Sequence, residues 1–188
     1  MDYIRKLCSL FWKFRIKTMS KDHFIEYLRN LGVNVGKNCD IAKDVVFGNE
    51  PWLVKIGSNT RITKNVQFIT HDGGVWTLRK LGYVGPDDVY YGNIVVGDNC
   101  NISWNVVIMP GVRIGNNCVV GAGAIVTKNI PDNSVAVGIP AHVVESIEKY
   151  AEKKVDACVP TMKMTDDEKK NYLLKYRPEL FDFERKIT

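Results

Sequence analysis

Along the middle of the chain an aliphatic or aromatic residue returns at every sixth position. Val35, Ile41 and Phe47 form one run and Ile56, Ile62 and Phe68 the next; Val96, Ile102, Ile108, Ile114, Val120 and Val126 follow after a long interruption. Four residues after most of these comes a second small or β-branched side chain, at Cys39, Val45, Thr60, Val66, Cys100, Val106, Val112, Cys118, Ala124 and Ile130. Gly or another small residue often stands directly after the aliphatic one, as at Gly36, Gly57, Gly97 and Gly115. A period of six is neither helical nor simply alternating. It fits a short strand followed by a sharp corner, with three such units closing a triangular coil of about eighteen residues. Each aliphatic residue points inward and stacks on its equivalent one coil away. Gly, Asn and Asp near the corners, as in Gly97-Asp98-Asn99 and Gly115-Asn116-Asn117, tolerate positive φ.

The period breaks twice. Phe47 to Ile56 spans nine residues instead of six, which places a short bulge near Asn49–Lys55. Phe68 to Val96 spans 28, so a long loop leaves the coil at about residues 69–93. A long excursion from a regular scaffold is more often functional than decorative.

The flanks carry a different period. Ile4, Leu7, Leu10, Phe11 and Phe14 make an apolar stripe among basic residues, and Phe24, Tyr27, Leu28 and Leu31 make another that ends at Gly32. Residues 1–32 therefore read as a helical cap on the open end of the solenoid. A basic amphipathic helix could also lie on a membrane surface as a peripheral contact. The β-helix is expected over 33–141 and a helical tail over 142–188, with a short helix at 142–154. Thr165 followed by Asp166, Asp167 and Glu168 predicts a capped helix running to about Tyr176. The fold class is thus mainly β, a parallel β-helix of hexapeptide repeats with helical flanks.

Composition narrows the function classes. A net charge of +5 suits attraction of an anionic ligand and does not by itself indicate nucleic acid. No apolar stretch is long enough to span a bilayer, and no signal peptide is evident, so a cytoplasmic protein is expected. The five cysteines lack CxxC spacing, and Cys39, Cys100 and Cys118 share one repeat position, which reads as buried reduced thiols.

Three histidines are candidates for chemistry: His23, His71 and His142. His23 lies in the helical flank and His142 at the start of the tail, where ordinary structural roles suffice. His71 stands where the long loop leaves the coil, in Phe68-Ile69-Thr70-His71-Asp72-Gly73-Gly74. An imidazole there suits a general base working near neutral pH. The loop beyond it carries Trp76, Arg79, Lys80, Tyr83, Tyr90 and Tyr91, which suit stacking on a sugar ring or packing against a neighbouring subunit. In Val120-Gly121-Ala122-Gly123-Ala124, the small residues let a ligand run close along the backbone, and Lys128 offers a charge for phosphate. The same string is also what the last coil of a solenoid would need.

The string Gly121-Ala122-Gly123-Ala124-Ile125-Val126-Thr127-Lys128, followed by Gly138-Ile139-Pro140-Ala141, resembles the C-terminal signature of the hexapeptide-repeat acetyltransferases. Ile108-Met109-Pro110-Gly111-Val112-Arg113-Ile114-Gly115 fits the coil before it. Within that family the galactoside, maltose, xenobiotic and capsular-polysaccharide acetyltransferases are the most similar, and His71-Asp72-Gly73-Gly74 with Trp76 resembles the last group. The resemblance covers about residues 33–145. It implies a left-handed parallel β-helix and a homotrimer with active sites between subunits. Acetyl-CoA would be the co-substrate and a carbohydrate hydroxyl the acceptor, as in surface or capsular polysaccharide synthesis, with no metal. His71 takes the place of the base that deprotonates the acceptor. The backbone N–H of Trp104 takes that of the oxyanion donor, although many relatives have a small residue there. Ala122 and Gly123 map to pantetheine contacts, Thr127 and Lys128 to nucleotide contacts, and Asp72, Trp76, Arg79 and Tyr83 to the acceptor side. N-acetylation of a nucleotide-linked amino sugar and xenobiotic acetylation would use the same scaffold. A zinc-dependent β-helix carbonic anhydrase would need about three histidine ligands, and only His71 lies in the repeats. A non-catalytic scaffold would need neither His71 nor the thioester-side signature.

Overall fold

The computed structural model describes residue 16 and residues 18–183. The chain divides into two compact units, Met1–Tyr150 and Ala151–Thr188. The six-residue period of the first unit becomes very short strands, numbered here in chain order, that fall into three sheets. One face holds β1 (Asn34–Val35), β3 (Val54–Ile56), β6 (Ile94–Val96) and β9 (Arg113–Ile114), all parallel. The second holds β2 (Asp40–Ile41), β4 (Arg61–Ile62), β7 (Asn101–Ile102), β10 (Val119–Val120) and β12 (Ser134–Gly138), also parallel, with β13 (Ala141–Ser146) added antiparallel at its end. The third holds β5 (Gln67–Phe68), β8 (Val107–Ile108) and β11 (Ile125–Val126). The chain visits first, second and third face in turn, which makes a parallel β-helix.

The two-residue strands each point one side chain in, and the three-residue β3 and β6 each bury two, Val54 with Ile56 and Ile94 with Val96. Ile41, Ile62, Ile102 and Val120 align along the second face, and Phe68, Ile108 and Val126 along the third, all buried. Phe47 stacks on Phe68 with ring centroids 5.1 Å apart. Each inward residue touches its equivalents above and below, so truncating one, such as Ile102→Ala, costs about 2–5 kcal/mol of packing and transfer energy.

The corners are held by side chains. Between the first and second faces Asn38, Asn59, Asn99, Asn117 and Asn133 all have positive φ. Their amides bond along the stack, Asn99 Nδ2 to Asn117 Oδ1 at 3.1 Å and Asn117 Nδ2 to Asn133 Oδ1 at 2.8 Å. Beside them runs a column of small donors. Cys39, Thr60, Cys100 and Cys118 give their thiol or hydroxyl hydrogens to the carbonyls of Gly57, Gly97, Gly115 and Pro131 in the following coil. The shared cysteine position is therefore a donor position, and threonine fills it equally well. All four described cysteines are free.

Helix α1 (Lys21–Asn30) begins at Ser20, whose hydroxyl accepts from His23 N–H at 3.3 Å. Its Phe24, Ile25 and Leu28 are buried in the same apolar cluster as Val33 and Val35 of the first coil. Arg29 ties it down by donating to the carbonyls of Val35 and Gly36. The earlier stripe, Ile4 to Phe14, lies outside the described residues. One sequence expectation is corrected here. Residues 142–154 are not one helix: Ala141–Ser146, with β-branched Val143 and Val144, pairs antiparallel on β12, and helix α3 starts only at Ile147 and ends at Lys154. His142 thus sits in a strand, its Nδ1 3.3 Å from Pro140 O. The long loop contains helix α2 (Val75–Lys80), anchored by buried Val75. The bulge at 49–55 contains a single 3₁₀ turn, Pro51–Leu53.

In the second unit, helix α4 (Asp166–Tyr176) starts at Thr165 with a reciprocal cap. Thr165 Oγ1 accepts from Glu168 N–H, and Glu168 Oε2 accepts from Thr165 N–H at 2.8 Å. None of its side chains is buried.

Candidate active site

His71 lies three residues beyond Phe68, where the excursion leaves the corner between the third and first faces. The base of the excursion is pinned by backbone bonds: Gly92 N–H to Thr70 O at 2.9 Å, Asp72 N–H to Tyr90 O at 3.0 Å, and an antiparallel bridge of His71 with Tyr91. The imidazole is about one-third exposed and meets the Tyr91 ring edge-on at 6.3 Å between centroids.

The orienting group for this imidazole is Glu50. Its Oε2 lies 3.0 Å from His71 Nδ1 and also accepts the Thr70 hydroxyl at 2.6 Å. The Thr70 hydroxyl, and after it the His71 ring, hold the Glu50 carboxyl below the ordinary carboxylate range. An ionised carboxylate can only accept, so neutral His71 carries its proton on Nδ1 and leaves a lone pair on Nε2. That is the state a general base requires.

Glu50 was not singled out in the sequence, yet the register contains it. Phe47 and Phe68 stack as equivalents one coil apart, and Glu50 stands three residues after Phe47 as His71 stands three after Phe68. The three-residue bulge hid the match. Asp72, the adjacent acid, does not orient His71: its Oδ1 accepts from Gly74 N–H at 2.8 Å and shapes the turn into α2.

The other candidate residues fall into three places. Trp76, Arg79 and Tyr83 lie on α2 and just after it; Trp76 and Tyr83 are exposed, and Lys80 Nζ sits 5.5 Å over the Trp76 ring. Thr127 and Lys128 follow β11 on the corner from which His71 projects. Trp104, Ala122 and Gly123 share the corner between the second and third faces, where Gly123 N–H donates to Trp104 O at 2.8 Å. Trp104 N–H finds no acceptor among the described residues, whereas Ser103 N–H and Asn105 N–H are both bonded along the stack. The indole is exposed, with Lys64 Nζ 5.4 Å over its ring. One chain therefore places the His71 imidazole and the Trp104 N–H at opposite ends of the third face and does not bring them together.

A groove of about 670 Å³ over the outer side of the first face, between Lys55, Val95 and Arg113, contains none of these residues. Among the described residues no group of three His, Cys, Asp or Glu side chains could hold a metal ion, and no helix is long and apolar enough to cross a membrane.

A six-residue solenoid carrying a carboxylate-paired imidazole at a coil corner has the makings of a hexapeptide-repeat acyltransferase. Comparison with known proteins agrees. Residues 93–128 match the family model described as the hexapeptide repeat of succinyl-transferase. Protein CapG of Staphylococcus aureus is 44% identical over 168 residues, covering 88% of this chain and 94% of that protein. The galactoside O-acetyltransferase of Escherichia coli (strain K12) is 43% identical over 116 residues, 61% of this chain and 54% of that protein. A galactoside acetyltransferase solved in complex with coenzyme A superposes with a TM-score of 0.57 at 27% identity, covering 78% of this chain and 82% of that one. The chain belongs to the hexapeptide-repeat acetyltransferase family. It is an acyltransferase whose co-substrate is acetyl-CoA.

Proposed function

We propose that this enzyme transfers acetyl from acetyl-CoA to a hydroxyl of a sugar, in the synthesis of a surface or capsular polysaccharide in the cytoplasm. The observation that carries the reading is the 3.0 Å pairing of His71 Nδ1 with Glu50, which leaves Nε2 as an unblocked base. His71 Nε2 takes the proton of the acceptor hydroxyl, and the oxygen attacks the thioester carbonyl. The tetrahedral oxyanion is met by the Trp104 N–H, and collapse expels the coenzyme A thiolate. The base and that N–H occupy different corners of one chain, which favours a site assembled from two copies in a homotrimer of left-handed coils. Ala122 and Gly123 would line the pantetheine path of one copy. Thr127 and Lys128 would reach the nucleotide, and Asp72, Trp76, Arg79 and Tyr83 would face the acceptor. The similarity to a galactoside O-acetyltransferase favours a sugar hydroxyl over an amine.

The test is release of thiol from acetyl-CoA in the presence of a panel of sugars, amino sugars and antibiotics, with His71→Ala in parallel. Acceptor-dependent release by the native enzyme, lower by two or more decades in His71→Ala, is expected on the scale of general-base catalysis. Turnover only with amine acceptors would overturn the O-acetylation reading, and full activity in His71→Ala would overturn the role of the base.

A further inference from the structure

Thr70 immediately precedes His71 on extended backbone, so the two side chains point to opposite sides of the strand. His71 faces solvent and Thr70 faces the interior, where it is 1% exposed. A buried hydroxyl must find an acceptor. The one it finds is Glu50 Oε2, the same oxygen that faces His71 Nδ1, at 2.6 Å against 3.0 Å for the imidazole. The coil makes room for this contact. Gly48 has φ of +66°, and a Cβ there would lie 2.7 Å from Thr70 Oγ1, so any other residue at 48 would press directly on the hydroxyl.

We propose that Thr70 is a positioning residue for the acetyl transfer, the inner member of a Thr70–Glu50–His71 relay that fixes one carboxylate oxygen under the imidazole. This rests on the reading of His71 as the general base. The carboxylate accepts from both neighbours, so the Thr70 proton points at Oε2 and the His71 Nδ1 proton points at the same atom. Glu50 comes from the bulge, and the buried Thr70 hydroxyl is a fixed point to which its carboxylate is tied. Thr70 is also the foremost cause of the lowered Glu50 pKa, ahead of His71, so the anion exists before any proton reaches the imidazole. The relay thereby sets the tautomer of the resting enzyme and not only the charge that forms in the reaction.

The tautomer can be read without any acceptor. With only three histidines in the chain, ¹⁵N imidazole spectra are assignable by comparison with His71→Ala. Neutral His71 is expected to be held in the Nδ1–H form in the native enzyme and in Thr70→Ser, and to become a mixture of both forms in Thr70→Val. With the acceptor found by the sugar panel, Thr70→Val should lose about tenfold in kcat, the scale of one hydrogen bond to a charged group, with KM for acetyl-CoA unchanged and Thr70→Ser restoring the rate. A native-like tautomer in Thr70→Val would overturn the relay, as would a Thr70→Ser variant as impaired as Thr70→Val, which would reduce Thr70 to a packing residue. Full turnover by His71→Ala is a different failure, which removes the base itself while leaving the tautomer result to stand on its own.

Discussion

Glu50 is the residue that pairs with His71 at this corner, and its charge has a definite direction with pH. Its carboxyl is held below the ordinary range by Thr70 and His71. The pairing is therefore complete above the pH at which free glutamate ionises, and it is lost as pH falls through the lowered value of the folded enzyme. Glu50→Gln removes the anion but keeps the size. The imidazolium formed on proton abstraction then has no counter-charge, and the amide can present a hydrogen to Nδ1. We expect kcat to fall by about 10- to 100-fold, with the dissociation constant for acetyl-CoA unchanged, measured by steady-state thiol release and by calorimetry. An unchanged kcat would mean that His71 needs no carboxylate. The pair is separated by 21 positions in the chain, and no local motif announces it. His71 was legible as a candidate because it is the lone imidazole of the repeats and stands at a register break. Glu50 was not, because the pairing exists only once the coils are stacked and the bulge is counted out.

At the scale of elements, strands of two residues are too short to hold themselves, and the corners carry the register. Asn117 is a clear instance: its φ is +55°, and its amide bonds to both Asn99 and Asn133. Asn117→Ala should lower stability by about 1–2 kcal/mol, because alanine has no side-chain compensation for left-handed backbone. Asn117→Gly should lose less, since it gives up only the ladder bonds. Thermal unfolding of the two variants beside the native protein checks the order, and equal losses would show that the ladder, and not the backbone conformation, is what matters. The strands were legible from the six-residue period because inward aliphatic positions and corner residues repeat together. The end of the solenoid was less so. Val143 and Val144 belong to a strand that closes the second face, but a run of six residues after the last full repeat offers no period to read. Its partner, β12, is still in register with β10, and the antiparallel return covers an edge that would otherwise be open.

At the scale of the whole molecule the first unit has two separable parts, a coil that keeps count and an excursion that does not. The excursion leaves after Phe68 and rejoins before Ile94, and β5 and β6 still stack on β8 and β9 as though nothing intervened. Replacing residues 76–89 by a short Gly-Ser link should leave the unfolding temperature within a few degrees of native and acetyl-CoA binding intact, while transfer to the sugar acceptor drops steeply. Loss of acetyl-CoA binding in that variant would show that the excursion serves the thioester side instead. The bond from Gly92 N–H to Thr70 O, the pin at the base of the loop, has a mechanical consequence as well. It makes the segment a side branch with a closed neck. Residues can be added to or taken from such a branch without displacing a single coil, so the excursion can change in length while the stack it leaves keeps its register.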